Sequence, residues 1–134
     1  MIEPKGNPQP YYKLLHQKRE TELFLSALRL NIFSELEVWK TAETLSKRTG
    51  LNERNLGLFL NALACTGLLE KNGDTYRNTQ ESNEFLNKSS PLYLGDCLLF
   101  RERMMFPDHL DEQVRKGPDP QIAQKNNGVE VYDF

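Results

Sequence analysis

Two successive helical patterns, a hairpin and strongly apolar helices on either side predict a mainly α fold of the winged-helix class. Three observations carry this expectation. Residues 52–66 repeat apolar side chains at helical spacing, with Leu56, Phe59, Leu60 and Leu63 on one face. Residues 68–71 and 75–78 flank Asn72-Gly73-Asp74, a strand-turn-strand composition. The segments 23–33 and 92–106 carry apolar residues around more than one helix face, so each needs cover on more than one side.

In chain order, residues 1–10 are polar and proline-rich and read as a flexible lead. A helix is expected over 11–30. Its first half sets Tyr11, Tyr12, Leu14 and Leu15 against Lys13, Gln17, Lys18, Arg19 and Glu20. Residues 32–36 suit one helical turn, and 38–40 a short strand. Thr41 then has the side chain of an N-cap, with Glu43 in the first turn and Gly50 placed to close the helix. Asn52 caps the next helix, which Gly67 ends. After the hairpin, Thr79 caps a turn or two of helix over 80–86, and residues 88–91 form a break at Pro91. A helix is expected over 92–106 and a short amphipathic one over 107–116, closed by Gly117. Beyond 118 periodicity fades, except for an apolar knot of Val129, Val131, Tyr132 and Phe134.

Composition narrows the function. The 134 residues carry a formal net charge of −2 and a sequence pI of about 5.7, without the basic excess of a dedicated nucleic-acid binder. Cys65 and Cys97 each sit in an apolar helical run and read as buried thiols of a reducing cytoplasm. His16 and His109 are far apart, and no Cys/His cluster has zinc spacing, so no metal is expected. No secretory leader and no membrane-length apolar run is visible, which makes a soluble cytoplasmic chain the expectation.

A winged helix is best known as a DNA reader, and a winged-helix transcription regulator is the alternative function. Such a reader presents cations or amides to phosphate and base edges. Between 52 and 78 the basic residues Arg54, Lys71 and Arg77 are matched by Glu53, Glu70 and Asp74. The helix face opposite the core keeps Leu58, Ala62 and Cys65, with Asn61 as its main polar group. That surface suits protein contact better than phosphate. Lys47 and Arg48, at the end of the preceding helix, are solvated surface charges on this reading. A stand-alone module that pairs with a separate catalytic protein is a third class.

Four motifs in order carry a resemblance: Ala27 to Phe33, Thr41 to Leu51, Leu60 to Leu69, and the turn around Gly73. They resemble the N-terminal dimerisation domain of S-adenosylmethionine-dependent O-methyltransferases of the caffeic acid and hydroxyindole type. The later Leu110, Val114 and Gly117 keep that family's spacing, and the resemblance covers about residues 11–117. Where plant members have Trp, this chain has Pro107. The family's catalytic half, a doubly wound domain with a Gly-rich cofactor loop, has no counterpart here, and none of the eight glycines forms G-x-G-x-x-G.

The resemblance therefore implies no catalytic and no cofactor-binding residue in this chain, and S-adenosylmethionine only for a full-length parent. His109 is not assigned as a base. Residues 118–134 are expected to lead toward the absent catalytic domain. The implied role is homodimerisation, through Leu23, Phe24, Ala27, Leu28, Leu94 and Leu98. A second implied role is to wall the site of a small-molecule methyl acceptor with Leu99, Phe100, Met104, Met105 and Phe106. Met and Phe make an adaptable lining for a flat apolar substrate.

Overall fold

The computed structural model describes residues 2–105 and 109–117. The chain divides into two compact units, one ending at Tyr93 and one beginning at Leu94. Among the described residues helices dominate, with one small antiparallel sheet.

In the first unit, α1 spans Gln9–Arg29. It starts two residues earlier than expected, because Pro10 is tolerated in a first turn and the Asn7 side chain accepts the Gln9 N–H at 3.0 Å. After α1 the backbone reverses at Asn31, in the left-handed region at φ 57°. Asn is one of the few non-glycine residues that visit it readily. The turn leads straight into α2, Ile32–Glu35, whose Ile32 and Phe33 are buried.

The first strand, β1, is only Lys40–Thr41. The expectation of 38–40 was displaced by register: Lys40 and Thr41 lie opposite Tyr76 and Thr75, and Val38 and Trp39 fall outside the pairing. The next helix, α3 (Ala42–Thr49), opens with Thr41 Oγ1 accepting the Thr44 N–H at 3.1 Å. It closes on Gly50, whose φ of 78° is the left-handed cap that glycine adopts without steric cost. In α4, Glu53–Cys65, Asn52 Oδ1 accepts the Asn55 N–H at 3.0 Å, and Leu56, Leu60 and Leu63 face inward.

The hairpin follows as β2, Leu69–Asn72, and β3, Thr75–Asn78. Its two-residue loop has Gly73 at φ 62°, as a primed hairpin turn requires. The strand order is β1-β3-β2, so the last strand in sequence sits in the middle. Thr79 then caps α5, Gln80–Phe85, accepting the Ser82 N–H at 3.1 Å.

The core is aliphatic. Ala27, Ile32, Leu36, Leu45, Leu60 and Leu63 are fully covered, and Phe33, Leu28, Leu56, Leu69 and Tyr76 are nearly so. Each such Leu, Ile or Phe contributes about 1.5–3 kcal/mol relative to exposure. Three polar side chains are buried among them: Asn78, Ser82 and Asn87.

The second unit contains α6, Gly95–Met105, and α7, Leu110–Lys116. The first starts at Gly95 rather than 92, with the Leu94 carbonyl accepting the Leu98 N–H at 3.0 Å. Gly117 closes α7 through its N–H to the Gln113 carbonyl. Phe106, Pro107, residues 118–134 and their apolar knot lie outside the described residues. No helix among the described residues is long and apolar enough to cross a membrane.

One expectation fails outright. Cys65 and Cys97 are both free and exposed. The α4 core face runs through Leu56, Leu60 and Leu63, and Cys65 falls about 140° around the helix from Leu60 and about 160° from Leu63.

Candidate functional site

The largest unsatisfied feature of the first unit is the outer part of α1. Every residue from Gln9 to Glu22 is exposed, including Tyr11 at 72%, Tyr12 at 55%, Leu14 at 63% and Leu15 at 67%. Among the described residues, burial of α1 begins at Leu23, and Leu25, Ala27 and Leu28 enter the core. A free helical stretch of this length is marginal in water. At its foot is an open groove of about 470 Å³, lined by Gln17, Glu20, Thr21, Phe24, Thr66 and Leu68.

This redistributes the expected contact residues. Leu23 and Phe24 are half-buried and partly available. Ala27 and Leu28 are already enclosed by the chain's own core, so they offer no free surface. In the second unit, Leu94 is exposed and Leu98 half-buried. The residues expected to wall an acceptor site also lie there. Leu99 and Met104 are half-buried, and Phe100 and Met105 are exposed. Phe100 and Met104 are neighbours one helical turn apart on α6, and the Arg103 guanidinium lies 5.9 Å from the Phe100 ring centre.

On α4 the outward face is as apolar as its sequence suggests. Leu58 is 61% exposed, Cys65 is exposed and Ala62 half-buried. Asn61, its polar member, is occupied: the Tyr76 hydroxyl donates to Asn61 Oδ1. The nearby cations are largely engaged within the chain. Arg77 stacks 4.5 Å from the Trp39 ring centre and bonds Glu70 at 2.7 Å. Arg48 pairs with Glu35 at 2.9 Å, and Lys47 with Glu43 at 3.0 Å. The Glu43 hydrogen bond and charge raise the Lys47 pKa. Lys71 lies 5.7 Å from the Tyr76 ring centre.

Two features escaped the sequence reading. The Arg77–Trp39 stack joins residues 38 positions apart, a pairing that no local pattern announces. The other is a polar cleft of about 500 Å³ beside Glu37, Asn83, Glu84 and Asn87. Behind it, buried amides link up: Asn83 Oδ1 accepts from both Asn78 and Asn87, at 3.2 and 3.1 Å.

Comparison with known proteins assigns the class. No family model matches the chain. Over 98 residues the chain is 35% identical to the tetracenomycin polyketide synthesis 8-O-methyl transferase TcmO of Streptomyces glaucescens, a span of 69% of this chain and 29% of that protein. Among solved structures, an O-methyltransferase family protein from Burkholderia thailandensis matches with a TM-score of 0.68 at 25% identity, over 85% of this chain and 33% of that one. Human N-acetylserotonin methyltransferase, in complex with SAM, shares the fold with a TM-score of 0.67 at 20% identity, over 98% of this chain and 41% of that one. By sequence and fold together the chain is a relative of the O-methyltransferases, as its ordered motifs implied. It spans under a third of the length of the curated relative it matches.

Proposed function

We propose that this chain is the N-terminal, non-catalytic domain of an S-adenosylmethionine-dependent O-methyltransferase, which dimerises and caps the acceptor pocket. The carrying observation is that both the sequence match and the fold match span most of this chain but only a minor part of each methyltransferase. On this reading, the cofactor is held by a Rossmann-like domain outside these 134 residues. Residues 11–117 form the dimerising domain and residues 118–134 lead toward the catalytic one.

The winged-helix reading is supported by element order. Two helices, α3 and α4, precede the hairpin, and β1 pairs onto β3. The uncovered outer half of α1, with Leu23 and Phe24 behind it, supports a homodimer, to which Leu94 and Leu98 of the second unit add apolar surface. Leu99, Phe100, Met104, Met105 and Phe106 are proposed as the wall of a small-molecule methyl acceptor's pocket. A cytoplasmic location completes the reading.

The test is the reading frame downstream of residue 134, expressed together with this chain. The longer protein is expected to bind S-adenosylmethionine in calorimetry, and the 134 residues alone are not. A frame without a strand followed by a Gly-rich loop would overturn the proposal. No observation here favours duplex DNA as the ligand, since the face in question is Leu58, Ala62 and Cys65.

A further inference from the structure

The stretch that closes the first unit has the composition of a loose connection. Lys88-Ser89-Ser90-Pro91 reads as a break, and residues 88–93 form neither helix nor strand. Segments of this kind at a unit boundary are where chains bend and proteases cut. Here, however, every backbone N–H of the stretch has an acceptor. Lys88 donates to Ser34 Oγ at 3.0 Å, and Ser89 to Asn87 Oδ1 at 2.9 Å. Ser90 donates to the Asn87 carbonyl at 2.9 Å, Leu92 to Ser90 Oγ at 3.2 Å, and Tyr93 to the Ser90 carbonyl at 3.2 Å. Pro91, the remaining member, has no N–H to satisfy.

We infer that residues 87–93 form a stiff strut that moves as part of the first unit, with Asn87 as its anchor. The chain's freedom to swing then begins at Leu94 rather than at the Pro91 break. The inference concerns the chain itself and stands apart from the methyltransferase reading above.

Two fastenings to α2 lead there. The direct one is Ser34, which lies on α2, 54 residues before Lys88. The other is a relay of amides. Asn87 is 2% exposed, and its Nδ2 donates to Asn83 Oδ1 at 3.1 Å. That oxygen also accepts from Asn78 Nδ2 at 3.2 Å, and Asn78 Nδ2 reaches the Phe33 carbonyl at 2.7 Å. Asn87 and Asn78 are buried, so water cannot readily replace a lost partner. The two routes start from adjacent residues, Phe33 and Ser34, and end on adjacent N–H groups, Lys88 and Ser89. A segment held at two neighbouring points by independent routes cannot pivot about either one.

Inside the strut, Asn87 and Ser90 each accept through both side chain and carbonyl, the local turns that Asn and Ser favour. The pattern stops at the unit boundary. Leu94 is 45% exposed, and its N–H meets no acceptor among the described residues.

The test is amide hydrogen exchange on the whole chain, read residue by residue by NMR, with trypsin as a second readout. Lys88 is exposed, so cleavage after it reports opening of the segment. The amides of Lys88, Ser89, Ser90, Leu92 and Tyr93 are expected to exchange at least about tenfold more slowly than in an unstructured peptide. The Lys88–Ser89 bond is expected to outlast the exposed Lys5–Gly6 bond. Ser34→Ala should speed Lys88 roughly tenfold and leave Leu92 unchanged, and Ser90→Ala should do the reverse. Asn87→Ala should speed Ser89 and open Lys88 to trypsin, with the amides of Leu60 and Leu63 still protected.

Exchange of Ser89 and Leu92 at unstructured rates in the parent chain, or a cut after Lys88 as fast as after Lys5, would make the segment an ordinary flexible linker and overturn the inference. Unchanged rates at Lys88 in Ser34→Ala and at Leu92 in Ser90→Ala would overturn it too. Equal acceleration of core and strut amides in Asn87→Ala would remove Asn87 as the anchor, and the two serine variants read the strut even where Asn87→Ala does not fold.

Discussion

The Asn78 side chain donates to the Phe33 carbonyl at 2.7 Å, and the Asn78 N–H donates to the Leu36 carbonyl at 2.9 Å. Together they fasten the end of the central strand to α2, 45 residues earlier. Both Asn78 and Phe33 are buried, so neither group has water as a substitute. Removing the amide donor leaves a buried carbonyl unpaired, which costs about 1–3 kcal/mol. Asn78→Ala is therefore expected to lower Tm by roughly 4–8 °C for each kcal/mol lost. Asn78→Asp keeps the shape but cannot donate when ionised, and is expected to fall at least as far in the same thermal melt.

Leu58 and Leu60 share α4 and differ in everything that matters to stability. Leu60 is fully buried and Leu58 is 61% exposed. Leu60→Ala is expected to cost about 2–5 kcal/mol in denaturant unfolding through the cavity it leaves. Leu58→Ala should stay within about 0.5 kcal/mol of the parent. Equal losses at both positions would contradict the orientation of α4.

Two glycines should respond in opposite directions. Gly57 lies inside α4, and a Cβ there would meet only the Ala42 Cβ at 3.7 Å, an ordinary contact. Gly57→Ala is expected to raise stability by about 0.5–1 kcal/mol, since glycine is a poor helix former. Gly50 has open space around it but a φ of 78°. Gly50→Ala is expected to cost about 1–2 kcal/mol from backbone conformation alone.

Both thiols should be reactive in the folded protein. With Cys65 and Cys97 free and exposed, a disulfide-exchange reagent is expected to titrate both without denaturant. Titration that appears only on unfolding would restore the buried reading of the sequence.

Lys47 offers a small pH signature. Its hydrogen bond to Glu43 and the Glu43 charge raise its pKa above the usual 10.5. A raised lysine pKa means that the pair's contribution is complete below the ordinary lysine range and disappears as pH climbs through the raised value. In an NMR titration Lys47 is expected to lose its proton later than its exposed neighbours, and Glu43→Gln to remove most of the difference, the Glu53 charge remaining.

Local signals were legible and long-range ones were not. Thr41, Asn52 and Thr79 could be read as caps because a cap acts within three residues, and each accepts the expected N–H. The hairpin was legible because Gly73 determines its loop. The two-residue β1 was misplaced because its extent depends on Tyr76 and Thr75, far along the chain. Burial of Cys65 was misread from its apolar neighbours, although helical phase around Leu60 and Leu63 already sets it off the core line. On the candidate surfaces, Leu58 was legible as an outward residue. The enclosure of Ala27 and Leu28 was not, because a helix that is apolar all round does not say which of its faces its own chain will take.

The sheet order carries a consequence for how the molecule is made. The middle position belongs to β3, the last of the described strands to be synthesised, while β1 is completed 34 residues before Thr75 joins Thr41. A nascent chain that has emerged only as far as α4 holds β1 with no neighbour to pair with. Translation through the hairpin is then the event that closes the sheet. A pause placed before Thr75 would prolong the interval in which β1 and β2 both lack their partner β3 and Tyr76 is missing from the core, and would lengthen the exposure of the young chain to chaperones.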